Sequence, residues 1–136
     1  MSRERWQAWL LRLVGAFEVL AFLAVLMPRS WMEASHAWLG MGEMLVSPLL
    51  MFMIRQASYT YGMHGVALWI IAQDVRRFRP LVILNGVAYL LGAPVFYFIE
   101  VSAGIPWWWT AADVLGCGLF GGALLWLTLG GRDEPV

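Results

Sequence analysis

Four stretches of this chain, residues 9–27, 49–73, 81–101 and 108–129, stay apolar long enough to cross about 30 Å of hydrocarbon at about 1.5 Å per residue. A domain dissolved in water has no place to bury four such runs, so the expected solvent is lipid. The composition agrees: 61% of residues are hydrophobic and 13% charged, with a mean hydropathy of +0.69. The predicted fold is all-α, an integral membrane four-helix bundle in which residues 1–136 make a single transmembrane domain.

The same composition removes several function classes. The formal net charge is zero, which leaves no electrostatic footprint for nucleic acid. All nine basic residues are arginines, so Schiff-base chemistry is excluded. A lone cysteine, Cys117, supports neither an intrachain disulfide nor a C-x-x-C redox pair. Two histidines, His36 and His64, one expected at the surface and one near midplane, cannot together ligate haem or zinc. No nucleophile elbow or glycine-rich phosphate loop occurs, so neither catalytic residues nor a cofactor nor a metal is expected.

The first run follows Arg3 and Arg5 but carries Arg12 and Glu18 and ends at Met27-Pro28-Arg29 without a small-residue cleavage pattern, so it reads as a retained anchor. Arginine placement then sets orientation. Arg3, Arg5, Arg12, Arg76, Arg77, Arg79 and Arg132 fall on one side, and Arg29 and Arg55 on the other, which predicts both termini in the cytoplasm. Trp6, Trp9 and Trp126 belong to the inner interface, and Trp31, Trp38 and Trp107, Trp108 and Trp109 to the outer one. Within the longest connection, Ser30-Trp31-Met32-Glu33 has the spacing of a capping box and Gly40 can stop a helix. This predicts a short interfacial helix over residues 31–39, with Trp31 and Trp38 toward lipid and Glu33 and His36 toward water or the bundle mouth. The inner connection, residues 74–80, ends on Pro80, which opens the third span in its first turn.

Ionisable groups within hydrocarbon cost roughly 2.5 to 3.5 kcal/mol each on insertion scales, so each must face protein or water. Arg12 lies about one turn inside the boundary and can reach the headgroups. Depth along the spans sorts the rest into two clusters. Arg55, Asp113 and Glu100, with Tyr59 beside Arg55, form a candidate outward-facing ligand pocket or a structural ion pair. Glu18 and His64, both near midplane, form a candidate proton relay or a buried hydrogen-bonded pair. Helix phase puts His64 opposite Arg55, Ser58, Tyr59, Gly62 and Gly65, and Gly118 and Gly122 on a small-xxx-small ridge of the last span.

Leu11-Arg12-Leu13-Val14-Gly15 running to Met27-Pro28, the four spans and the short inner loops resemble, in layout, the DoxX-like group of small bacterial inner-membrane proteins. Tyr61-Gly62-Met63-His64-Gly65, the 74–80 string and Gly104-Ile105-Pro106-Trp107-Trp108-Trp109 are similar to segments of other small bacterial four-helix proteins. The resemblance implies an inner-membrane location and, for some members, company with membrane redox enzymes; it transfers no functional residue. The function expected is a non-enzymatic accessory or assembly subunit, with the lipid bilayer and a homo-oligomer or larger membrane complex as partners. The alternative is a protein or small membrane enzyme that handles a lipophilic ligand. A proton or ion conduit is third, because four helices leave little room for a pore.

Overall fold

The computed structural model describes residues 2–130; Arg132, used above for orientation, lies outside them. The described chain is all-helical, with α1 (Arg3–Val19), α2 (Phe22–Leu26), α3 (Arg29–Trp38), α4 (Pro48–Ile71), α5 (Arg79–Ser102) and α6 (Trp107–Leu129). Three helices are long and apolar enough to cross a membrane: Arg3–Leu26, which runs through α1 and α2, then α5 and α6. Although α4 has the length, the polar run from Arg55 through Gln56, Ser58, Tyr59, Thr60 and Tyr61, followed by His64, keeps it out of that class.

Arg12–Ile70 form one compact unit, here the central unit, and the described residues on either side of it form the flanking unit. In the flanking unit α5 and α6 make an antiparallel hairpin, turned at Gly104, whose φ of +71° suits glycine. Their backbones meet closely at Gly121, where a Cβ would stand 2.6 Å from Leu90 N and 2.7 Å from Gly86 O. Tyr89 and Phe120 pack edge to face at 4.7 Å, and Val82, Phe120 and Leu124 are buried in this seam. At the other end of the hairpin, Gln7 Nε2 donates to Thr128 Oγ1 at 2.9 Å, and Arg76 pairs with Glu4. The start of α1, the turn before α5 and the end of α6 therefore gather at one level. In that turn Asp74 Oδ1 accepts from Arg77 N at 3.0 Å, and Pro80 stands in the first turn of α5, as its sequence position predicts.

In the central unit α1 crosses α4 with almost no side-chain spacer. A Cβ on Gly65 would lie 2.6 Å from Gly15 O, and one on Gly15 would strike the Trp69 ring at 2.8 Å. Trp69 Nε1 donates to Arg12 O at 3.0 Å across the same crossing. Phe22 of α2 lies over Gly62, where a Cβ would come within 2.6 Å of its ring. Between α1 and α2 the winding tightens to i→i−3 bonds, from Leu20 to Phe17 and from Ala21 to Glu18.

The interfacial helix exists as α3, with Trp31 and Trp38 exposed and Met32 buried, and Gly40 follows its end at φ +75°. Its start corrects the sequence reading. The helix begins at Arg29 after Pro28 with no side-chain cap, and Glu33 turns instead to Arg29 Nε at 2.7 Å. The i,i+4 ion pair takes the carboxylate that a capping box at Ser30 would need.

Candidate functional site

Glu18 and His64 meet. The chain carries them on α1 and α4, and the Gly15–Gly65 crossing brings the two backbones close enough for His64 Nδ1 to lie 2.6 Å from Glu18 Oε2. Glu18 is 12% exposed and His64 39%, so the carboxylate is the more enclosed partner. His64 and Gly65, neighbours on α4, both meet α1, while Gly62 meets Phe22. Without a Cβ on Gly65, α1 seats so deeply that side chains on either flank of the seam reach it. A carboxylate and an imidazole at this distance can pass a proton without moving a heavy atom.

Of the outer cluster, Glu100 and Asp113 come together in the α5–α6 hairpin, close enough to interact directly through their carboxyl groups. Trp109 Nε1 donates to Asp113 Oδ2 at 3.1 Å. Glu100 Oε2 is buried and has no hydrogen-bond partner among the described residues. Arg55 and Tyr59 belong to the central unit, where Arg55 is exposed and Tyr59 packs edge to face on Phe22 at 5.9 Å. His36 is occupied locally, with Nδ1 3.0 Å from Gly42 O. No group of three or more metal-ligating side chains occurs among the described residues.

A feature absent from the sequence reading lies along the same hairpin, lined by Val101 and Val114, the chain neighbours of Glu100 and Asp113. A groove of about 420 Å³ runs along the hairpin past Tyr97, Val101, Ile105, Trp107, Thr110 and Val114. Its walls are mostly apolar; of these residues, Tyr97, Trp107 and Thr110 carry a polar side-chain atom. Thr110 is 5% exposed, and its Oγ1 is buried without a partner among the described residues. A buried hydroxyl left unbonded costs about 1 to 3 kcal/mol, a cost Thr110 would shed by turning its hydroxyl toward a hydrogen-bonding guest in the groove. The volume falls within the range of roughly 300 to 1,000 Å³ typical of small-molecule sites.

No protein-family model, no curated protein and no solved structure matches this chain.

Proposed function

We propose that this chain is a four-helix membrane protein that takes up an amphiphile from the bilayer in the groove of its α5–α6 hairpin. The observation that carries the reading is the buried, unpartnered Thr110 hydroxyl in the wall of a mostly apolar groove. An alkyl chain would fill the groove, and a head that donates a hydrogen bond would answer Thr110 Oγ1 once that side chain turns into the groove. A long-chain amine or amide has that chemistry.

Connectivity supports four crossings. Glu4, at the start of Arg3–Leu26, pairs with Arg76, just before α5, so a bilayer-spanning chain needs an even number of crossings between those two residues. Between Arg3–Leu26 and α5, α4 is the one long helix; its 24 residues span about 36 Å. Its polar side chains then need protein or water beside them, as His64 has in Glu18. The arginine-rich level is read as cytoplasmic, in an inner membrane, with the groove opening toward the outer leaflet.

Thr110→Val is the test. Mass spectrometry of the protein purified in mild detergent should find a co-purifying amphiphile with a donor head, reduced about fivefold in the variant, as one net hydrogen bond implies. Melting of the ligand-free variant should be unchanged or higher, because an unsatisfied buried hydroxyl has gone. Equal recovery from both proteins would refute the groove.

The accessory-subunit reading has one observation in its favour. Within the flanking unit nothing lies within 4 Å of a Cβ built on Gly118 or Gly122, so the predicted small-residue ridge is open to a second chain. Gly118→Leu with Gly122→Leu should then disperse any native complex on size-exclusion chromatography while leaving amphiphile recovery intact.

A further inference from the structure

At the opposite end of the same hairpin, three helix ends enclose a cleft of about 180 Å³ bordered by Arg3, Glu4, Gln7, Arg76, Arg79 and Thr128. Its floor is built and neutral. Gln7 is 7% exposed and donates to Thr128 Oγ1, and Thr128 in turn donates to Leu124 O at 2.6 Å. The rim is cationic. Arg79 Nη2 reaches Thr128 O at 3.4 Å, Arg3 Nη1 stands 3.7 Å from where a Cβ on Gly130 would be, and Arg76 is held by Glu4. Glu4 raises the Arg76 pKa, first through their hydrogen bond and then through its charge, so the guanidinium stays protonated at any physiological pH.

Three arginines against Glu4, with Asp74 also acting on Arg76, leave one net positive charge around a small cavity. Guanidinium forks match the paired oxygens of a phosphate, and they arrive here from two separate segments of chain, the start of α1 and the turn leading into α5. The cleft also has a fixed depth. It lies where Arg3–Leu26 and α5 begin and α6 ends, the level at which lipid phosphates stand when these helices cross a bilayer. We infer that this cleft is a binding site for the phosphate of an anionic phospholipid headgroup.

The source of the phosphate follows from the surroundings. The helices that frame the cleft are lipid-facing immediately beyond it, with exposed Trp6, Trp9 and Trp126 able to border acyl chains. A soluble phosphate compound would gain nothing from that border, whereas a lipid held by its headgroup keeps its chains in hydrocarbon. The inference does not depend on the amphiphile groove, which is at the other end of α5 and α6.

The probe is phosphatidylglycerol titrated into the full-length protein in neutral detergent, against phosphatidylcholine, with thermal melting and native mass spectrometry as readouts. Phosphatidylglycerol should raise the melting temperature and remain bound in the gas phase; phosphatidylcholine should do neither. Arg3→Gln with Arg79→Gln should weaken the apparent affinity about tenfold or more. Arg5→Gln with Arg77→Gln removes the same charge outside the cleft and should retain it within about threefold. If the first double variant melts too low to titrate, Arg3→Lys with Arg79→Lys keeps the charge, removes the forks, and should still lose most of the preference. Equal response to both lipids, equal loss from both glutamine pairs, or an equal shift with inorganic phosphate alone would overturn the assignment.

Discussion

Glu18 of α1 and His64 of α4 share a hydrogen bond of 2.6 Å, so each determines what the other's loss costs. Removing His64 leaves the Glu18 carboxyl enclosed without that partner, whereas removing both leaves an apolar seam. Glu18→Leu and His64→Leu should each lower the melting temperature in detergent, and the double variant should recover about 1 to 3 kcal/mol relative to their sum. Strict additivity would mean that the two side chains act independently. This pair was legible in the sequence because two ionisable residues at matching depth in hydrocarbon have few other places to go. Thr110 was not legible. A threonine near a helix start is ordinary, and only the fold of Tyr97, Val101 and Trp107 around it turns the hydroxyl into a buried, unanswered group. Glu33 misled in the opposite direction, since a capping-box spacing at Ser30 says nothing of a nearer arginine competing for the same carboxylate.

Helices in this protein meet through glycine, and the structure separates glycines that are contacts from those that are not. At Gly65 and Gly121 an added methyl would strike backbone atoms at 2.6 Å, which no rotamer change can relieve. Gly65→Ala and Gly121→Ala should therefore each cost about 1 to 3 kcal/mol in detergent melts. Gly116→Ala meets open space and should be neutral or gain up to about 1 kcal/mol from helix propensity. A uniform response across the three would contradict the two crossings. Element existence was readable from hydropathy and helix-stop residues, so α3, α5 and α6 begin and end within two residues of expectation. The i→i−3 tightening after Val19 was not, because Leu20 and Ala21 carry no breaker; the turn sits where Phe22 rotates onto Gly62. Counting residues around α4 cannot anticipate how deeply α1 seats on Gly65, a residue that lacks a side chain.

Across the whole molecule, hydropathy and arginine placement give a membrane protein with its cationic end at Arg3, Arg76 and Arg79, and the Glu4–Arg76 pair independently joins the first two of those segments. Orientation has a direct check. A cysteine placed at Ser35 should label with an impermeant maleimide from outside the cell, and a reporter fused after Gly130 should function only in the cytoplasm. The reverse pattern would invert the molecule and put the groove in the inner leaflet. The claim that most needs testing is that the α5–α6 groove holds an amphiphile, and photocrosslinking tests it most directly. A long-chain alkylamine carrying a diazirine should label the peptide spanning residues 97–115, compete with unlabelled amine, and lose most of that labelling in Thr110→Val. Labelling spread evenly over the exposed faces of α4, α5 and α6, or undiminished by the substitution, would show that the groove is only part of the lipid-facing surface.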